Sequence, residues 1–164
     1  MISKIFNLIK YLVVFKVNYP DDMLLKMLNE NNIKYLVVHC SDTPDTDDLK
    51  ASDIHQMHLS FGWNGIGYHK IICKNGEIEN GRPECWVGAH VYGFNEVSLG
   101  VCLIGKNNFN SLQLNSLFHL LSSWKKKYSS AEVVGHNNFP NTKKTCPNFD
   151  VKRWWLNKDH DGKI

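Results

Sequence analysis

The 164-residue chain lacks an internal repeat, a low-complexity linker and an uninterrupted apolar segment of membrane-spanning length. Its N-terminal apolar segment, MISKIFNLIKYLVVFKV at residues 1–17, is interrupted by Lys4, Lys10 and Lys16. A membrane-spanning helix needs about 20 predominantly apolar residues, so no stable membrane span is expected. The length instead fits a single domain that is large enough to bury a core.

The same N-terminal segment has the basic start and apolar middle of a signal peptide, but it lacks the cleavage site. The sequence continues VNYPDD, and no Ala-x-Ala-like stretch follows. We therefore interpret residues 1–30 as an N-terminal extension whose role is open. An amphipathic or strand-like extension packed on the domain is favoured over export.

Neither a strong charge excess nor a disulfide framework is present. The net charge is only +3, which does not by itself indicate a nucleic-acid partner, and none is expected. Hydrophobic residues make up 43% and aromatic residues 12%, a composition that argues against disorder. The cysteines are odd in number and scattered, at Cys40, Cys73, Cys85, Cys102 and Cys146. A reduced compartment or a metal thiolate fits this pattern better than a set of disulfides.

Helical and strand patterns alternate along the chain. Helices are predicted in YPDDMLLKMLNENN, in DLKASDIHQMHLSFG, in SLQLNSLFHLLSSWKKKY and in NFDVKRWWLNK. Strands are predicted in IKYLVVHC, SLGVCLIG and AEVVGH, and a hairpin with an Asn75-Gly76 turn is predicted in YHKIICKNGEIEN. Thr46 or Asp47 is expected to cap the second helix and Gly62 to end it. The apolar face of the third helix is predicted to contain Leu114, Leu117, Phe118, Leu121 and Trp124.

This alternation predicts an α/β protein with one domain, in which α-helices cover a mixed central β-sheet. Two of the predicted strands end on a histidine, at His39 and His136. The ends of strands are where open sheets present functional groups.

His39, His136 and Cys146 are candidates for a metal site. Two imidazoles and one thiolate suit zinc, and a fourth position open to water is the pattern of a catalytic site. The sequence has neither HExxH nor CxxC, and its eight histidines allow many chance triples. From spacing alone, a hydrogen-bonded core histidine and a buried cysteine remain the alternatives. Cys40 and Cys102 are interpreted as core residues, and His55, His58 and His119 as packing or surface residues.

Several blocks of sequence together resemble one enzyme family. These blocks are YLVVHCSDT, GWNGIGYHKIICKNGEIENGRP, VGAHVYGFNEVSLGVCLIG and CPNFDVKRWW. In this order they are similar to the zinc-dependent N-acetylmuramoyl-L-alanine amidases, which include the peptidoglycan recognition proteins and the small podophage lysozymes. The resemblance runs from about Tyr35 to Trp155 and implies an amidase domain over residues 31–158, followed by a polar tail at 159–164.

The resemblance implies a role for each matched residue. It makes His39, His136 and Cys146 the ligands of one Zn²⁺ ion, and Tyr68 and Lys144 the catalytic pair. The spacing from His136 to Cys146 is longer here than in the podophage lysozymes, which leaves Lys143 as the alternative to Lys144. The residues expected to bind the substrate are Trp63, Asn64, His69, His90 and Asn95.

The implied activity is hydrolysis of the amide bond between N-acetylmuramic acid and L-alanine in peptidoglycan, by an endolysin or a cell-wall hydrolase. A non-hydrolytic peptidoglycan-binding protein on the same fold is one alternative, and a protein that contacts RNA polymerase is another. A glycosidase would need paired carboxylates, which the matched blocks do not offer in a convincing position. A monomer is expected. Its location is either the cytoplasm, with access to the wall at lysis, or outside the cell if the N-terminal segment is a signal.

Overall fold

A five-stranded sheet forms the centre of the computed structural model, which describes residues 26–140 and 142–161. The strands are β1 (Tyr35–Cys40), β2 (Lys70–Ile72), β3 (Ile78–Asn80), β4 (Ser98–Leu103) and β5 (Glu132–Gly135). The α-helices in the described ranges are α1 (Ala51–Ser60), α2 (Ser111–Lys127) and α3 (Val151–Asp161). Short 3₁₀ turns lie at Glu30–Asn32, Asn95–Val97 and His136–Asn138.

The strand order is β3-β2-β4-β1-β5, with β2, β4, β1 and β5 parallel and β3 antiparallel to β2. The predicted α/β fold with a mixed sheet is therefore confirmed. Strand β1 has a parallel neighbour on each side, and its residues Leu36, Val37 and Val38 are fully buried. Such a run of apolar residues is typical of a parallel strand that is covered on both faces.

Helix α1 ends as predicted but begins later than predicted. Gly62 follows its C-terminus with a φ of +78°, and the backbone N–H groups of Gly62 and Trp63 donate to carbonyls in the last turn. Glycine adopts this left-handed conformation without steric cost, and it closes the helix. The predicted caps Thr46 and Asp47 are wrong, because the helix starts at Ala51, whose N–H donates to the Glu79 carboxylate across 2.6 Å.

Helix α2 covers one face of the sheet, with a buried face that differs from the predicted one. Its buried residues are Gln113, Leu117, Leu120, Leu121 and Trp124. Leu114 and Phe118 are only half-buried. Gln113 is fully buried because its side-chain amide donates to the Ile104 carbonyl at 2.9 Å and so keeps a hydrogen-bond partner.

The predicted helix at residues 19–32 is not found over its described part. Met27 forms an antiparallel bridge with Trp86, and Leu28 N–H donates to the Cys85 carbonyl at 2.8 Å. This pairing holds the chain extended until the 3₁₀ turn that begins at Glu30. The remaining predictions for the N-terminal extension concern residues 1–25, which lie outside the described residues.

At the other end, α3 continues to Asp161 and so includes the first three residues of the predicted polar tail. Across residues 26–140 and 142–161, no helix has the length and apolarity required to cross a membrane.

Candidate metal centre and active site

The carboxyl ends of β1 and β5 bring two histidines together. The strands are parallel neighbours, and Val38 on β1 is paired with Gly135 on β5. The next residues along each chain are His39 and His136, whose ring centroids lie 4.8 Å apart. The sheet therefore places both imidazoles at one edge, as the two strand-end histidines suggested.

Cys146 reaches the same edge from the loop that follows β5. Its Sγ accepts a hydrogen bond from the backbone N–H of Cys40 at 3.1 Å and lies 4.0 Å from His39 Nδ1. Asn137 N–H donates to the Cys146 carbonyl at 2.9 Å and closes the loop. The ligand atoms of His39, His136 and Cys146 all lie within 4.8 Å of one another, the one such group among the described residues.

This donor set fits a zinc ion. Zn–N and Zn–S bonds of about 2.0 and 2.3 Å place neighbouring tetrahedral ligand atoms roughly 3.5 Å apart. The cluster therefore has to close by only about 1 Å at its widest pair. Burial lowers the pKa of both His39 and His136, and neighbouring positive charge lowers it further. Both rings are accordingly neutral at pH 7, the form that binds a metal.

Tyr68 and Lys144 lie beside this cluster. The Tyr68 ring centroid is 5.0 Å from that of His39, and burial raises the pKa of its phenol, which stays protonated. The Lys144 ammonium contributes to lowering the pKa of His39, His136 and His58, so its charge acts on the cluster. Both Lys143 and Lys144 are exposed side chains on the loop before Cys146.

A row of aromatic rings leads from the cluster to the surface. His58 lies between Tyr68 and Trp63, with ring centroids 5.3 and 4.5 Å away, and Phe61 lies beside both Trp63 and His58, with ring centroids 6.0 and 6.3 Å away. Trp63 and Phe61 are 44% and 61% exposed, so their faces are open to a ligand. The neighbouring Asn64 is also exposed.

Sequence reasoning missed the position of His58 next to Tyr68. The ring is 4% exposed, and its Nδ1 accepts a hydrogen bond from Gly67 N–H at 3.0 Å. Burial is the main reason that its pKa is lowered to about 4. The contact joins α1 to the loop that carries Tyr68, and no helical periodicity could have indicated it.

Three of the predicted substrate-binding residues are less accessible than expected. His90 is 8% exposed, and its Nδ1 lies 3.0 Å from His39 Nε2. Asn95 uses its side-chain oxygen to accept hydrogen bonds from the backbone N–H groups of His90 and Val91, each at 2.8 Å. His69 is 1% exposed, and both of its ring nitrogens are bonded to backbone groups.

The comparisons with known proteins identify the family. The family model described as N-acetylmuramoyl-L-alanine amidase matches residues 29–149. The chain belongs to this family. It is 41% identical to the endolysin of Klebsiella phage KP32 over 128 residues, which cover 73% of this chain and 83% of that protein.

Two further relatives of this amidase fit the same assignment. The amidase LysC from Clostridium intestinale is 28% identical and superimposes with a TM-score of 0.70, covering 90% of this chain and 96% of LysC. Peptidoglycan-recognition protein SC2 of Drosophila melanogaster is 30% identical over 77% of this chain and 76% of its own length. The predicted enzyme class and the relationship to peptidoglycan recognition proteins are thus confirmed.

His69 has a structural position in the amidase, because backbone groups engage both of its ring nitrogens. Its Nδ1 accepts a hydrogen bond from Gly100 N–H at 2.9 Å. The proton is therefore on Nε2, which donates to the Trp86 carbonyl at 3.0 Å. With both nitrogens occupied, the ring has no polar atom left for a substrate. It holds β4 against the loop that contains Trp86.

This burial predicts that acid destabilises the metal-free amidase. The pKa of His69 is lowered to about 4, chiefly by burial, whereas an unfolded histidine titrates near pH 6.5. Between these values the unfolded state binds more protons, so stability is lost as the pH falls from about 6.5 to about 4. His69 alone should cost about 2.5 kcal/mol of unfolding free energy between pH 7 and pH 4.5. Urea unfolding at both pH values measures the change, and a constant free energy of unfolding would contradict it.

Proposed function

We propose that this amidase hydrolyses the bond between the lactyl group of N-acetylmuramic acid and L-alanine with one zinc ion bound by His39, His136 and Cys146. The observation that carries the proposal is the convergence of these three side chains beside Tyr68. When bound, zinc supplies a Lewis acid that lowers the pKa of water to near 7 and polarises a carbonyl. The KP32 endolysin relative supports a role in degrading the bacterial wall.

Tyr68 and Lys144 are assigned to stabilise the negative charge that develops during hydrolysis. Attack on an amide carbonyl moves negative charge onto its oxygen, and positioned donors stabilise that charge. The Tyr68 phenol is a donor because its raised pKa keeps the proton in place. The Lys144 ammonium adds a positive charge that contributes to the lowered pKa of both His39 and His136.

Substrate contacts are assigned to the exposed side chains around this centre. Trp63 and Asn64 follow α1 at the surface, and the Trp63 ring is linked to Tyr68 through His58. Aromatic faces pack well on the apolar parts of sugars and peptides. Trp63 therefore stays a proposed contact of peptidoglycan, together with the neighbouring Phe61.

Digestion of purified peptidoglycan tests the proposed reaction. The amidase should release new amino groups of L-alanine at a rate proportional to the enzyme concentration, without release of reducing sugars. A glycosidase gives the opposite result, and a binding protein without activity gives neither product. The variant His119→Gln, changed at an exposed position of α2, serves as a control that should keep full activity.

Tyr68→Phe is predicted to keep the zinc and the fold but to lose most of the activity. The phenyl ring can retain the packing against His39 and His58, whereas the hydroxyl that acts on the reacting oxygen is removed. Loss of one such donor costs on the order of 10²-fold in kcat. Steady-state kinetics combined with zinc analysis provide the test. Turnover near that of the unmodified enzyme would remove Tyr68 from the mechanism.

The presence of Cys146 beside His39 and His136 favours an enzyme over a non-hydrolytic binding module, because it would complete the proposed three-residue donor set. Contact with RNA polymerase, the monomeric state and the location of the protein stay predictions from the resemblance.

A further inference from the structure

His39 has two ring nitrogens, and the structure gives each a different neighbour. Nδ1 faces Cys146, with 4.0 Å between this nitrogen and the cysteine Sγ. Nε2 faces His90, whose Nδ1 lies 3.0 Å away. A neutral imidazole carries one proton, so only one nitrogen has a lone pair for a metal. A ligand role for Nδ1 therefore requires the proton on Nε2 and an acceptor opposite it.

The packing around His90 fixes the position of its ring next to His39. The ring lies against two glycines, and a Cβ placed on Gly100 would be 2.7 Å from His90 Cγ and Nδ1. A Cβ on Gly88 would be 2.5 Å from His90 Cδ2. Contacts this short do not occur in folded proteins, so the ring fits only because both positions lack a side chain. Asn95 fixes the backbone from the other side through the N–H of His90 and of Val91.

The second ring nitrogen of His90 makes a histidine at this position unfavourable for the stability of the fold. Its Nε2 is buried and has no hydrogen-bond partner in the part of the chain that the structure describes. An unsatisfied buried polar group costs about 1–3 kcal/mol, and a phenylalanine of similar shape would avoid that cost. The presence of a histidine at this site is therefore explained by its other nitrogen, Nδ1, which contacts His39.

We propose that His90 is a positioning residue of the metal centre: its Nδ1 accepts the Nε2 proton of His39 and thereby keeps His39 Nδ1 unprotonated and directed at the zinc position. This inference rests on the proposed zinc function. It replaces the predicted contact between His90 and the substrate, since the ring is buried behind His39. Partners of this kind typically change metal affinity 10–100-fold when they are removed.

Zinc affinity of two His90 variants tests the proposal. His90→Phe keeps a ring but removes the acceptor, and we expect its zinc dissociation constant to rise about 10–100-fold in competition with a chelator. In His90→Asn the side-chain oxygen can take the place of Nδ1, and we expect most of the affinity to return. His119→Phe, on the exposed face of α2, is the matched control and should bind zinc as the unmodified protein does.

The outcomes separate a positioning role from packing. Unchanged zinc affinity in a folded His90→Phe protein overturns the proposal, and so does a His90→Asn protein that binds as weakly as His90→Phe. Tight zinc binding without hydrolysis by the unmodified protein would contradict the proposed function and leave the role of His90 intact.

A measurement on the unmodified protein avoids any folding defect of the variants. Nitrogen-15 spectra of the zinc-loaded protein should show the His39 proton on Nε2, hydrogen-bonded to His90 Nδ1. A proton on His39 Nδ1, or zinc bound through Nε2, overturns the proposal irrespective of the mutants.

Discussion

Cys146→Ser is expected to lose zinc and, with it, almost all amidase activity. In the proposed metal site Cys146 supplies the soft ligand, and a serine hydroxyl is a poor substitute because it is not ionised at neutral pH. Removal of a group that merely supports a ligand already costs about 10–100-fold in metal affinity, so loss of the ligand itself should cost more. Elemental analysis after gel filtration should find one zinc per unmodified chain and far less in the variant.

Cys85→Ser is the matched control for this experiment. Cys85 is also a half-buried cysteine, but it is not part of the cluster of His39, His136 and Cys146. Its replacement should leave the zinc content at one per chain. Full occupancy in Cys146→Ser would remove this residue from the metal site and leave two histidines without a third protein ligand.

Lys144→Ala is expected to lower kcat on the order of 10²-fold, with a much smaller effect on KM. In the proposed mechanism the ammonium stabilises charge that exists only in the transition state, so its loss should affect the chemical step more than binding. The structure favours Lys144 over its neighbour, because its charge contributes to the lowered pKa of His39 and His136. Lys143→Ala, an exposed side chain on the same loop, should change kcat little.

Kinetics of the two lysine variants decide the assignment. A large loss in Lys143→Ala together with normal turnover in Lys144→Ala would assign the catalytic role to Lys143. The extra residues of this loop would then lie between the catalytic lysine and Cys146.

The elements that depend on local pattern could be predicted from the sequence. The apolar run before His39 predicts a buried strand, and the Asn75-Gly76 turn predicts the hairpin of β2 and β3. Both signals are local, since burial on two faces and a left-handed turn each require particular residue types. The same holds for Gly62, which ends α1.

The features that the sequence could not provide depend on contacts between distant segments. Gln113 is buried in α2 because the Ile104 carbonyl accepts from its amide, and apolar periodicity gives no sign of that contact. The residues around Met27 are extended because Trp86 pairs with them. His69 and His90 were expected to face the substrate, but only the folded chain shows which partner each ring nitrogen has.

The proposed metal ligands could be predicted only in part from local pattern. Strand ends indicate His39 and His136, because parallel neighbours end at the same edge of a sheet. Nothing local indicates that Cys146 joins them, since it arrives from a loop and is held by the backbone of Cys40. Its assignment came from the resemblance. In the structure the three side chains lie close enough together to bind one ion.

Zinc titration of the metal-free protein, followed by release of L-alanine amino groups from peptidoglycan, tests the central claim most directly. If His39, His136 and Cys146 hold the single ion on which hydrolysis depends, activity should be absent without metal. It should then rise linearly with added zinc and reach a plateau at one equivalent per chain. Full activity before any zinc is added, or a plateau at a different stoichiometry, would contradict a single catalytic zinc at this site.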